Sequence, residues 1–149
     1  METKTSDKIF KTLTRLMIII FGIALILFGI GKYLDNQTKE FEKQQAEATL
    51  PVIMERIDIM TEANPDIHMI ETDFEYNGTN YINLYVEDTW FNTDDIAKKR
   101  SASDVRDNVK SILFEEGFIK ADDRVGIYVY SYDGISLAES KMNGEIKLK

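Results

Sequence analysis

The chain has 149 residues, 18 of them basic and 26 acidic, giving a net charge of −8, with one histidine and no cysteine. Without cysteine there are no disulfides, thiolate metal sites, cysteine nucleophiles or lipid-modified cysteine anchors. The charge is unevenly placed: residues 1–49 hold seven basic and six acidic side chains, whereas residues 50–149 hold eleven and twenty, so the second part carries −9. That balance argues against nucleic acid and against an anionic lipid surface as partners of the second part.

Residues 1–14 form a short polar tail, with Ile9, Phe10 and Leu13 spaced to continue a helix into a membrane interface. From Leu16 to Gly31 there is no charge and no side-chain amide, and Arg15 and Lys32 flank the run. Carried through Leu34 it has nineteen positions, and at about 1.5 Å per residue these cross a hydrocarbon core of about 30 Å, with the flanking cations reaching the headgroups. A buried core helix is amphipathic, and this run is apolar on every face. A secretory leader needs a small-x-small cleavage site; Gly29-Ile-Gly31 is a poor one, with Lys32 directly after it, so a retained transmembrane helix over residues 15–34 is the preferred reading. Gly22, Gly29 and Gly31 make no small-xxx-small pair, which leaves a helix-dimer face unsupported. Lys4, Lys8, Lys11 and Arg15 before the span outnumber Lys32, Lys39 and Lys43 after it by four to three. This bias places the N-terminus in the cytoplasm and residues 35–149 outside it.

Residues 35–49, DNQTKEFEKQQAEAT, read as a solvated helical stalk supported by an Asp35–Lys39 pair and weakened by Lys39 facing Lys43. Residues 50–149 have room for one small domain. Pro51 opens a short amphipathic helix to Ala63 with Val52, Ile53, Ile57 and Met60 on its stripe, ended by Asn64-Pro65. Ile67–Tyr76 reads as a strand, with Ile70, Thr72, Phe74 and Tyr76 on one face. Asn77-Gly78 predicts a two-residue hairpin turn, both of its residues at positive φ. The partner strand Thr79–Trp90 places Ile82, Leu84, Val86 and Trp90 on one side and Tyr81, Asn83, Tyr85 and Glu87 on the other.

Thr93 as a hydroxyl cap followed by Asp94 and Asp95 predicts a helix start. The helix runs to about Glu116, closed by Gly117, burying Ala97, Ser101, Val105, Val109, Ile112 and Leu113, with Lys99, Arg106 and Lys110 on a solvated face. Val125–Tyr132 is then a strand with Val125, Ile127 and Val129 on one face and Tyr128, Tyr130 and Tyr132 on the other. Asp133-Gly134 turns it into Ile135–Glu139, and Asn143-Gly144 permits one more strand over Glu145–Leu148. The expected fold is α+β: a small antiparallel sheet of two hairpins packed with one long and one short helix, on an N-terminal transmembrane helix and stalk.

Chemistry-bearing groups are sparse. His68 stands alone, no serine lies in a Gly-x-Ser-x-Gly turn, and no glycine-rich phosphate cradle is present. Asp94-Asp95, Glu115-Glu116, Asp122-Asp123 and the Glu71, Asp73, Glu75 group do not follow the calcium-loop spacing. No catalytic residue, metal site or cofactor is assigned. Asn36-Gln-Thr38 and Asn77-Gly-Thr79 match the glycosylation sequon, the second already accounted for by its turn. Trp90 and Phe91 read as a core anchor at the strand-to-helix corner. The unabsorbed feature is the set Tyr85, Tyr128, Tyr130 and Tyr132, joined by Tyr81 if the two strands are neighbours. Either the helix Pro51–Ala63 covers these tyrosines, or they form an open recognition surface. The expected function is a single-pass membrane protein, held in lipid by residues 15–34, whose acidic domain is a non-enzymatic module binding a protein partner through these tyrosines. A wall-facing glycan-binding or hydrolytic protein, and a structural subunit of a membrane complex, are the alternatives. Abundant Ile, Lys, Asp, Asn and Tyr match a low-GC bacterial source.

Overall fold

A computed structural model describes residues 3–149; the side chains of residues 1–12, 14 and 15 lie outside the described residues, and with them Ile9, Phe10 and the Lys4, Lys8, Lys11 and Arg15 charges of the expected orientation. Two compact units divide at Glu42/Lys43. The first is built on helix α1, Thr3–Ala48, whose last residues belong to the second unit. This helix is long and apolar enough to cross a membrane: it holds an 18-residue window of mean hydropathy 2.3, none of it buried. The side chains from Leu16 to Leu34 point outward around the whole circumference. Past that run the helix is held by its own i,i+4 contacts, with Lys39 Nζ on Asp35 Oδ2 at 2.6 Å and Gln37 Nε2 donating to the Tyr33 hydroxyl at 2.8 Å.

Pro51 ends the continuity of the helical backbone, because its ring removes an amide donor and crowds the carbonyl four residues earlier. At the break, Thr49 N–H and Oγ1 both turn back to the Ala46 carbonyl, and helix α2 restarts over Leu50–Glu62. After four intervening residues begins β1, Ile67–Asp73, followed by β2, Asn80–Val86, a 3-10 turn Asp88–Asn92, helix α3, Asp95–Glu115, and strands β3, Val125–Ser131, β4, Ser136–Ser140, and β5, Ile146–Leu148.

The strands form one five-stranded sheet in the order β1-β2-β3-β4-β5. It is a mixed sheet, not the antiparallel one expected: β1–β2, β3–β4 and β4–β5 are antiparallel, but β2 and β3 pair in parallel, from Asn80 beside Val125 to Val86 beside Ser131. The cause is the connection, since α3 carries the chain from the end of β2 back to the end where β2 began. Both α2 and α3 lie on one face of the sheet. Ile53 and Ile57 of α2, and Ala102, Val105, Val109, Ile112 and Leu113 of α3, share a single core with Ile82, Leu84, Ile127 and Val129. Trp90 is buried in the same core, as its position at the corner suggested, but Phe91, expected to share that role, is 53% exposed.

Several local expectations are corrected. Asn77-Gly78 is not a two-residue turn: Asn77 has φ 58°, but Gly78 is not among the positive-φ glycines. Strand β1 ends at Asp73, and residues 74–79 form a longer loop because Phe74 and Tyr76 dip toward Phe118, with ring centroids 6.3 and 6.2 Å away. The buried Asn80 holds that loop, its Oδ1 accepting the Glu75 N–H at 2.9 Å. The cap of α3 is Asp94 rather than Thr93; its Oδ1 accepts from the Ile96 and Ala97 amides at 2.9 Å each, while the Thr93 hydroxyl donates to the Thr89 carbonyl. Gly117 closes α3 as expected, at φ 71°, with its N–H on Phe114 O and the Phe118 N–H on Leu113 O. Arg106 is not solvated: only 16% exposed, it donates to the Gly144 carbonyl at 2.6 Å and ties α3 to the β4–β5 turn. Ala102, not Ala97 or Ser101, completes the buried stripe.

The full chain in detergent, unfolded by urea and followed by Trp90 fluorescence, should rank two substitutions. Ile127→Ala, in the middle of the core, is expected to cost about 2–5 kcal/mol. Asp94→Ala, which removes the acceptor of two helix amides, should cost about 1 kcal/mol. The reverse order would contradict the placement of the core.

Candidate functional site

Alternation puts every second residue of β2 and β3 on the side away from the helices. On β2 these are Tyr81, Asn83 and Tyr85, and on β3 Gly126, Tyr128 and Tyr130, all half-buried, while their neighbours in sequence are buried. Parallel pairing sets Tyr81 beside Gly126, Asn83 beside Tyr128 and Tyr85 beside Tyr130. The helix α2, Leu50–Glu62, packs on the opposite face, so within Lys43–Lys149 no helix lies over the tyrosines.

Two ring pairs result. Tyr85 stacks on Tyr130 with centroids 5.4 Å apart and planes 26° from parallel, and Tyr81 meets Tyr128 at 5.7 Å and 32°. Offset near-parallel rings at this spacing attract beyond their shared area. Gly126 makes the second pair possible. A Cβ there would stand 2.5 Å from Cδ1 and 2.7 Å from Cε1 of Tyr81, so the ring lies in the space a side chain would fill.

Of the expected site residues, Tyr85, Tyr128 and Tyr130 are brought together. Tyr132 is set apart, 56% exposed past the end of β3 and outside both pairs. Tyr81 belongs with the three. The signal for it was present in the sequence as its parity with Tyr85, together with a glycine at the matching place on β3.

The rim of the face is charged. From β1, Glu71 stands beside Asn83 and Asp73 beside Tyr81. The Tyr85 hydroxyl donates to Glu71 Oε2 at 3.0 Å. This hydrogen bond, with partial burial and the carboxylate charge, raises the Tyr85 phenol above its ordinary value of 10.0. On the other side, Glu139 of β4 receives Lys149 Nζ at 2.9 Å, and that contact, with Lys147 nearby, holds its carboxyl below the usual range. A bulge between Ile67 and Met69 turns His68 outward, where its Nδ1 lies 2.8 Å from Glu87 Oε1.

The other carboxylate groups have local employment. Asp94 caps α3, Asp123 Oδ2 accepts the Lys120 N–H, and Glu115 and Glu116 both receive Arg56, at 2.6 and 2.7 Å. Among the described residues no three His, Asp or Glu side chains are gathered so as to hold a metal ion. A shallow open pocket of about 270 Å³ between α2 and α3 is lined by Met60, Asn64, Ala97, Arg100, Ser101 and Asp104 among others. Comparison with known protein families, with curated proteins and with solved structures finds no match.

Two measurements probe the face. The neutral phenol is the form that Glu71 favours, so its contribution is present below the ordinary value of 10.0 and is lost as pH rises through the higher folded value. The tyrosinate absorbance difference between the full chain and Tyr85→Phe should therefore place Tyr85 above 10.0, and Glu71→Ala should move it down. Gly126→Ala should displace the Tyr81 ring and cost about 1–3 kcal/mol by overpacking. Unchanged stability and unchanged near-ultraviolet dichroism would contradict the close approach.

Proposed function

We propose that the chain is a single-pass membrane protein whose acidic α+β domain is a non-enzymatic protein-interaction module, with Tyr81, Tyr85, Tyr128 and Tyr130 as its contact surface. The observation that carries this reading is the sheet face itself: four half-buried tyrosines in two ring pairs, with both helices packed on the other side. Tyrosine supplies a large, stiff contact area with a polar tip, which suits a surface that is wet when free and buried when bound. Membrane attachment is supported by the unburied apolar window in α1. The charge bias around the span supports a cytoplasmic N-terminus with residues 35–149 on the far side.

With a proximity label at Lys149, intact cells should yield one dominant neighbour, and protease added outside should remove the label. Tyr128→Ser with Tyr130→Ser should lower recovery of that neighbour by about 30-fold, the scale of a contact hot spot, with unchanged circular dichroism. Undiminished recovery would overturn the tyrosine contact. A label protected from protease would overturn the orientation.

A further inference from the structure

We infer that the occupant of the tyrosine face is an extended, lysine- or arginine-bearing segment of another protein, lying along the β1 side; the inference rests on the face being a protein contact surface. Charge is what selects this occupant. Glu71 and Asp73 stand on the tyrosine side of β1, and among the described residues neither has a cationic partner; Glu71 is engaged by the Tyr85 hydroxyl. Across the sheet, Glu139 is already neutralised by Lys149. The unspent negative charge therefore lies beside Tyr81 and Tyr85. Residues 50–149 carry −9 as a whole, which repels a second copy and attracts a basic chain.

The geometry suits such a chain in two further ways. Guanidinium or ammonium groups can meet the two carboxylates while their aliphatic stems lie along the tyrosine rings. Strand β1 is an outer strand, hydrogen-bonded to β2 alone, so an extended segment beside it finds backbone groups to pair with.

The test titrates fluorescein-labelled deca-arginine, with deca-glutamate as control, into the full chain in non-ionic detergent. Deca-arginine alone should bind, and less tightly as salt is raised. Glu71→Gln with Asp73→Asn should weaken it about three- to tenfold, the scale of two exposed charge contacts. Glu55→Gln with Asp58→Asn, a charge-matched change at exposed positions of α2, should not. No binding of deca-arginine, or equal weakening by both double variants, overturns the inference. The same variants in the proximity-labelling experiment separate the two readings. A neighbour lost with Tyr128→Ser and Tyr130→Ser but kept with Glu71→Gln and Asp73→Asn removes the basic occupant and leaves the contact surface standing. A neighbour kept in both removes both readings, and a sedimenting dimer dissolved by the tyrosine substitutions would make a second copy the occupant.

Discussion

The parallel pairing of β2 with β3 is the constraint on which the domain depends. To begin β3 at the end where β2 began, the chain must travel back along the sheet, and the 21 residues of α3 do this. At about 1.5 Å per residue, that helix is longer than a seven-residue strand rising about 3.3 Å per residue. A helix laid along a sheet covers the face it lies on. Because α2 covers the same face, Ile82, Leu84, Ile127 and Val129 are buried together, and the residues between them are turned away together. Tyr81, Tyr85, Tyr128 and Tyr130 are neighbours as a by-product of that register. A slip of one residue in either strand would exchange that strand's two sets, placing two tyrosine hydroxyls in the core and two aliphatic side chains in water.

The cost of leaving an aromatic face uncovered is reduced locally. Each ring hides part of its neighbour, Gly126 lets the Tyr81 ring settle against the backbone, and Glu71 occupies the Tyr85 hydroxyl. These contacts fix where the rings stand without burying them fully. A surface ordered before it binds loses less side-chain freedom on binding. The same arrangement sets Tyr132 apart, since it has no neighbour across the sheet to stack upon and stays in solvent beyond the strand end.

How much of this was legible in the sequence follows the range of the interactions. The apolar run from Leu16, the stripe of α3 from Val105 to Leu113, the closing Gly117 and the alternation in β2 and β3 are local patterns, and each appears in the structure where periodicity puts it. The parallel pairing is not local: two strands each flanked by turns read equally as halves of two hairpins, and only the path of α3 decides. Asn77-Gly78 misled for a related reason. Its turn preference is real at Asn77, but burial of Phe74 and Tyr76 against Phe118 lengthens the loop and outweighs the two-residue turn. Arg106 looked solvated because helical periodicity places it outward, whereas the chain that returns over it, carrying the Gly144 carbonyl, lies 38 residues away in sequence. Of the tyrosine site, parity was readable on each strand separately; that the two strands are neighbours, and that the helices choose the other face, was not.

On the proposed reading, the anchor and the face are parts of one energetic argument. Carboxylates at an exposed rim and rings that are only half-buried contribute modestly to affinity, because water and salt compete for the same groups. A soluble module of this kind would need a larger or drier interface to hold a partner. A module on a membrane-spanning helix, meeting a partner in the same membrane, converts part of the association into an encounter at raised effective concentration. Modest contacts then suffice for occupancy and still permit exchange. The charge of the domain assists without duplicating the anchor's work: −9 over residues 50–149 repels anionic headgroups, so attachment rests on the apolar span, and the acidic rim is left free for a basic partner.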